Sequence, residues 1–182
     1  DMGGPINKAA YVYGTMVLAT ASELVAGGAQ RYDTVYNALK AAQELAIDTA
    51  PKEVLIYIHD GARPCISREI IKNCEEAALQ YGACTAAVPV KDTIKVVSPE
   101  GFAVDTPDRN TLWQIQTPQV FRSDIISSAY AKMYADTDRG TITDDAMLVE
   151  RYTDVPVKMA MGAYTNIKIT TPEDMGIAAQ YL

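Results

Sequence analysis

Apolar positions in this chain gather into one uninterrupted central run, Val54-Leu55-Ile56-Tyr57-Ile58, which passes through His59 and stops at Asp60-Gly61-Ala62-Arg63-Pro64. Such a run predicts a strand buried on both faces of a parallel sheet, and strands of that kind deliver binding groups at their carboxyl ends. Asp60 and Arg63 stand at that end. A strand-to-helix loop with an ordinary N-terminal cap has the same pattern, so this stretch by itself admits both readings.

Around the run the period changes. Over 30–45, Val35, Ala38, Leu39, Ala42 and Leu45 recur at helical spacing, predicting a helix that begins between Arg31 and Thr34. Val25-Ala26-Gly27-Gly28 before it reads as a strand end entering a loop, while 9–25 carries no clear period and is assigned no element. Residues 67–81 are amphipathic, with Ser67 as cap, Ile70, Ile71, Cys74, Ala78 and Leu79 inward, and Gly82 as the stop. A further apolar run covers 83–90. The alternation of strand and helix is an α/β signature, and the right-handed crossover rule predicts a mostly parallel, Rossmann-like sheet with helices on both faces.

The second half departs from this alternation. Ile94-Lys95-Val96-Val97 and Phe102-Ala103-Val104-Asp105 flank Ser98-Pro99-Glu100-Gly101, predicting a protruding β-hairpin arm over about 93–112. Its alternation is too weakly apolar for a core, so the arm packs on a second subunit or lies as a flap in solvent. The stretch from Asp108 to Phe121 holds the single tryptophan, Trp113, and no regular period. Helices follow over 123–135, capped by Ser123, and 144–152, capped by Thr143. Strands are expected at 157–161 and 166–169, and Pro172 opens a last helix. No repeat or linker divides the 182 residues, which suit one domain.

Charge narrows the partners. A net charge of -7 and a pI near 4.7 argue against nucleic acid and anionic membrane surfaces, which need a basic face. Cys65, Cys74 and Cys84 show neither CxxC nor histidine pairing, which argues against a zinc site or disulfide framework. No apolar run approaches the roughly 20 residues of a membrane span, and no signal-peptide pattern is present. A cytoplasmic setting is therefore expected.

Candidate chemistry is selected partly by exclusion. There is one histidine, His59, no G-x-S-x-G and no G-x-G-x-x-G, which disfavours a nucleophile-elbow hydrolase and a dinucleotide enzyme. A lone histidine ending an apolar strand is more often packed or bonded to a loop than a base. The glycines before Lys8 resemble a phosphate-approaching loop, although the signal is weak and a plain turn is the commoner explanation. Arg31 and Thr34 fall in a helical first turn, where free amides favour anions and capping is the bland alternative. Lys8, Arg31, Arg63, Arg109 and Lys168, with Asp60 and Thr34, Thr93, Thr117 and Thr143, make a set suited to a polyanion.

Six ordered motifs carry a resemblance: His59-Asp60-Gly61-Ala62-Arg63-Pro64, Val90-Lys91-Asp92-Thr93-Ile94-Lys95, Asp108-Arg109-Asn110 with Leu112-Trp113, Gln116-Thr117-Pro118-Gln119-Val120-Phe121, Thr141-Ile142-Thr143-Asp144-Asp145 and Asn166-Ile167-Lys168-Ile169-Thr170. In this order they resemble the 2-C-methyl-D-erythritol 4-phosphate cytidylyltransferase family; Gly27-Gly28-x-x-Arg31-x-x-Thr34 fits its loop before the second-unit helix. The sister D-ribitol 5-phosphate cytidylyltransferases share the DxxRP, QTPQ and NIK elements. Asp108-Arg109-x-x-Leu112-Trp113 and the Lys91–Lys95 segment favour the former. A nucleotide-binding homologue without catalysis is a third reading.

The resemblance implies a nucleotidyltransferase domain over 1–182 that joins CTP to methylerythritol phosphate, with Mg2+, giving the CDP-alcohol and pyrophosphate in isoprenoid precursor biosynthesis. It places the catalytic lysines at Lys8 and Lys168 and CTP contacts at Gly3, Gly28, Thr34, Asp60 and Gly61. Arg63, Thr93, Arg109, Thr117 and Thr143 would grip the sugar-alcohol phosphate. Asp60 is also the candidate metal ligand, and the arm implies a homodimer with composite sites. Asp60 would then face the nucleotide and Arg63 the phosphorylated alcohol, in a dimer even in different sites.

Departures from the family pattern lie mostly at the front. Asp1 stands where the family has a basic loop residue, and only residues 9–26 separate Lys8 from the Gly-Gly loop, too few for the family's strand, helix and strand. Residues are therefore expected to be missing, with a spacing beyond the ~3.8 Å of a trans peptide somewhere between Lys8 and Glu23. Ala29 and Thr165 replace positions that are often acidic, which weakens an assignment of metal ligands.

Overall fold

A computed structural model of the chain describes residues 8–14, 30–45 and 54–182, the side chains of 8–14 and 43–45 excepted. Gly3, Gly28 and the rest of the Gly-Gly loop lie outside the described residues. So does most of the stretch in which a break is expected; Lys8–Gly14 within it forms strand β1.

The apolar run is strand β2, Val54–Asp60, and it is covered on both faces. Its alternate residues Val54, Ile56 and Ile58 pack with Val35 and Leu39 of helix α1 (Arg31–Leu45) and with Ile125, Ile126, Tyr130 and Met133 of α3 (Ser123–Ala135) and Leu148 and Val149 of α4 (Asp145–Tyr152). Leu55 and Tyr57 point the other way, against Ile70, Cys74 and Ala78 of α2 (Arg68–Tyr81). The two-residue period of a strand thus divides one sequence between two apolar layers, giving helix, sheet, helix.

Sheet direction departs from expectation. Among the described residues the main sheet runs β1-β2-β6-β3-β7, where β3 is Ala83–Pro89, β6 is Trp113–Arg122 and β7 is Lys158–Met161. Only the β3–β7 pair is parallel; β1–β2, β2–β6 and β3–β6 are antiparallel. The cause is β6. The crossover β2-α2-β3 leaves β2 and β3 pointing the same way with a gap between them, and β6 enters that gap in the opposite sense.

Local chemistry explains the helix ends. Ser67 Oγ accepts the Ile70 amide at 3.3 Å, and Gly82, at φ 86°, ends α2 with its amide on the Ala78 carbonyl at 2.8 Å. Three expected details differ. Ile71 and Leu79 face solvent, because the buried stripe of α2 narrows to Ile70, Cys74 and Ala78. α4 is capped by Asp144, whose Oδ1 accepts the Met147 amide at 2.8 Å, rather than by Thr143; Ser123 is the first residue of α3 and makes no side-chain cap. Residues 166–169 are not a strand: Ile169 donates to the Ala62 carbonyl at 2.8 Å, and Asn166 turns inward instead of joining a ladder.

The hairpin arm is present as β4 (Val96–Val97) and β5 (Ala103–Asp105), antiparallel and exposed, with Gly101 at φ 86° in its turn. Helix α5, Pro172–Ala178, starts at Thr171, where Asp174 accepts the amides of Thr170 and Thr171 at 2.8 and 2.9 Å.

Candidate functional site

Asp60 is the last residue of β2, and the chain turns at once, with the Arg63 amide on the Asp60 carbonyl at 2.9 Å. The Asp60 carboxylate, nearly buried, meets Lys168 Nζ at 3.1 Å and Arg63 Nε at 3.8 Å. Burial alone would raise its pKa; the Lys168 ammonium, then Arg31 and Arg63, outweigh that and hold it below the ordinary carboxylate value. Burial pushes the Arg63 guanidinium down, against the opposing pull of Asp60. Asp60 thus stays anionic between cations.

Lys168 reaches this point on the segment after β7, and the segment is fixed from beneath by amides. Asn166, fully buried, donates through Nδ2 to the Thr117 carbonyl at 2.9 Å and to Gln116 Oε1 at 3.2 Å, while its own backbone carbonyl accepts Arg63 Nη1 at 2.8 Å. Gln116 Nε2 donates to the Ala163 carbonyl at 2.8 Å. A side chain on Gly162 would collide with Gln116 Oε1, so glycine there is what admits the amide. Arg63 Nε and Asn166 Oδ1 remain buried without a hydrogen-bond partner among the described residues.

Thr117 ties β6 to the end of β2. Its Oγ1 accepts the Asp60 amide at 3.0 Å and lies 3.0 Å from His59 Nδ1, while His59 Nε2 lies 3.1 Å from the Arg63 carbonyl. Burial lowers the His59 pKa from its usual value. His59 is a loop-bonding residue, in keeping with its place at the end of an apolar strand.

A second cluster joins α1 to α4. Arg31, in the first turn of α1, is ion-paired with the buried Asp145, which also accepts the Tyr130 hydroxyl at 2.6 Å. Gln119 Oε1 accepts the amides of Asp145 and Ala146, each at 3.0 Å, and its Nε2 donates to Asp144 at 2.8 Å, so one buried amide of β6 organises the start of α4. Burial works against the Arg31 charge, but Asp145 prevails and raises its pKa.

The structure therefore gathers Asp60, Arg63, Thr117 and Lys168 in one chain, and Asp60 and Arg63 pair with each other. Lys8 stands directly opposite Asp60 in the β1–β2 register. Gly61 is exposed within the turn, and Thr34 lies one helical turn from Gln30, its amide on the Gln30 carbonyl at 3.3 Å. Thr93 is exposed after β3; Arg109 donates to the Lys91 carbonyl at 2.8 Å at the root of the arm; Thr143 is exposed with its hydroxyl on Met147 Sδ at 3.2 Å. None of these three takes part in the Asp60 ion pairs.

Gln116, Gln119, Asn166 and Asp145 do not stand out in the sequence as site residues. The available signal is amides inside an element: in β6 the glutamines 116 and 119 are buried while Ile115 is exposed, the reverse of an ordinary strand. Across the two clusters Arg31, Arg63 and Lys168 stand beside Asp60, Asp144 and Asp145, so their charges are locally balanced.

Known proteins resemble the chain over most of its length. The family model described as 2-C-methyl-D-erythritol 4-phosphate cytidylyltransferase matches residues 6–182. A protein of that name from Lachnospira eligens is 49% identical over 164 residues, 90% of this chain and 69% of the relative. Another from Alkaliphilus oremlandii is 46% identical over 88% of this chain and 64% of its own length. The chain spans about two thirds of the curated relatives it matches. Among solved structures, 4-diphosphocytidyl-2C-methyl-D-erythritol synthase from Anaerococcus prevotii superposes with TM-score 0.73 at 34% identity, covering 85% of this chain and 67% of that one. The cytidylyltransferase of Thermus thermophilus gives 0.70 at 31% identity, covering 85% and 70%.

Proposed function

From the premise that the chain belongs to the 2-C-methyl-D-erythritol 4-phosphate cytidylyltransferase family, we propose that it transfers the cytidylyl group of CTP to that sugar-alcohol phosphate, releasing pyrophosphate. The observation that carries this reading is the Asp60 cluster. A buried carboxylate at the end of β2 pairs with both Lys168 and Arg63 and so brings two cations to one point.

In the reaction an oxygen of the alcohol phosphate forms a bond to the α-phosphorus of CTP as the bond from that phosphorus to the β-bridging oxygen breaks. Little covalent help is needed beyond alignment and neutralisation of charge. Lys168 supplies positive charge where negative charge grows, and Lys8, opposite Asp60 in the sheet register, is the second candidate for that role. Arg63, held at the turn by Asp60 and the Asn166 carbonyl, adds positive charge beside the phosphates, and Thr34, in the first turn of α1, serves the nucleotide. The resemblance adds Thr93, Arg109 and Thr143 on the alcohol side. Thr117 contributes by holding the Asp60 amide.

Among the described residues no group of three metal-ligating side chains exists, and the partners of Asp60 are cations. Mg2+ would enter with the triphosphate, and Asp60 is the carboxylate of this cluster that would face it. When bound, it neutralises phosphate charge. The exposed Ile94, Val96, Val97, Phe102 and Val104 of the arm suit burial against a second copy of the chain. Soluble phosphorylated reactants fit a cytoplasmic enzyme.

The test is pyrophosphate release by purified protein given CTP, Mg2+ and methylerythritol phosphate, with ribitol phosphate in parallel. Lys168→Ala should lower turnover by roughly 10²–10³-fold, the loss expected for one group acting on transition-state charge. Release with ribitol phosphate alone would move the assignment to the sister activity. CTP binding without turnover of either alcohol would overturn the enzymatic reading.

A further inference from the structure

The histidine behind the Asp60–Arg63 turn has a definite hydrogen-bond logic. The Arg63 carbonyl can only accept, so at 3.1 Å His59 Nε2 must carry the proton. In the neutral ring Nδ1 is then an acceptor, and the group 3.0 Å away that can supply a proton is the Thr117 hydroxyl. That hydroxyl oxygen in turn accepts the Asp60 amide at 3.0 Å. The sequence is Asp60 N–H to Thr117 Oγ1, Thr117 O–H to His59 Nδ1, His59 Nε2–H to the Arg63 carbonyl, and each atom is used once in its proper sense. The opposite neutral tautomer would set a lone pair against the Arg63 carbonyl.

These three bonds grip both ends of the turn that the Arg63 amide closes on the Asp60 carbonyl. We propose that His59, its Nε2–H on the Arg63 carbonyl, is the positioning residue of this site: with Thr117 it clamps residues 60–63 and so sets where Asp60 and Arg63 present their side chains. The role rests on the activity proposed above, and it is separate from the chemistry, because His59 touches the turn and not the reactants. Charged groups around it are Asp60 and Arg63 on the turn, Lys168 on the segment beyond β7 and Arg31 of α1, both acting through Asp60; β6 presents the uncharged Thr117.

His59 is the only histidine of the chain, so ¹⁵N-histidine labelling gives one ring to read. A two-bond ¹H–¹⁵N spectrum at neutral pH should show the Nε2–H tautomer. The Nδ1–H tautomer, or averaging between the two, would overturn the clamp whatever the activity proves to be. Kinetics then separate positioning from mere stability. His59→Ala leaves the Thr117–Asp60 bond but strips the Arg63 carbonyl of its donor. It should raise KM for the phosphorylated alcohol roughly tenfold, within the ~10² that a 1 Å displacement can cost, with KM for CTP changed much less. His59→Gln can place an amide N–H on the Arg63 carbonyl and should recover most of that loss. His59→Asn reaches only toward Thr117 and should not. Equal behaviour of the two amides, or equal change in both KM values, overturns the proposal. Absence of pyrophosphate release in the parent protein sinks the proposed function alone, since the spectrum needs no substrate.

Discussion

Replacing Asp145 by Asn tests how α1 is held to the rest of the molecule. The carboxylate is buried, pairs with Arg31, and accepts the Tyr130 hydroxyl at 2.6 Å. An asparagine of the same shape keeps one acceptor and sets an NH2 group toward the other donor. Breaking a buried ion pair costs about 3–5 kcal/mol. The Arg31 side chain is 22% exposed and can turn partly to water, so the lower end applies, about 3 kcal/mol. Loss of negative charge at the start of α4 adds about 0.3–1 kcal/mol. At about 2–4 °C per kcal/mol for a domain of this size, Tm should fall by roughly 6–16 °C.

Urea unfolding of Asp145→Asn, Arg31→Met and the double variant gives the cycle. The double variant should be more stable than the sum of the singles predicts, by about 2 kcal/mol, because it leaves no lone charge. Arg31 shares its helical turn with Thr34, so the Asn variant should also raise KM for CTP. Additive singles, or an Asn variant within about 1 kcal/mol of the parent, would refute the idea that this pair anchors α1.

Gly82→Ala should destabilise by about 2 kcal/mol or more, because a side chain there is strained at φ 86° and its Cβ would lie 2.6 Å from Ile125 Cδ1; chemical denaturation at constant m checks this. The Asp60 pKa is depressed in the folded state, so its contribution is full above the ordinary carboxylate value of 3.8 and is lost as pH falls below it. Urea midpoints measured from about pH 6 to about pH 3 should therefore fall more steeply for the parent than for Asp60→Asn, and parallel slopes would contradict the ion-paired reading.

Legibility of the sequence followed the range of the forces involved. α2 was readable because Ser67 and Gly82 act on their own helix, and β2 because burial on both faces demands an unbroken apolar run. β6 was not: the stretch holding Gln116, Thr117, Pro118 and Gln119 is assigned no element from sequence, since amides and a proline inside a strand make sense only once their partners across the sheet are known. Strand direction is likewise absent from any one strand's residues, which is why a mostly parallel sheet is expected and a mostly antiparallel one found. In the site, Asp60 and Arg63 were visible as residues at a strand end. Their grouping with Lys168 was expected from the set of cations and the family resemblance; what was not legible is the Asn166 support beneath it, 103 positions from Arg63.

The place of β6 also bears on how the chain comes to be folded as it is made. β2 and β3 are both synthesised before the strand that lies between them, so the edge that each turns toward the other stays open until Trp113–Arg122 follows. Before then two apolar strands stand with open edges, a state exposed to wrong pairing. The buried amides of β6, which later hold the site, arrive with the strand that fills this gap. The core and the binding cluster are complete only once α3, α4 and the Asn166–Lys168 segment have followed β6.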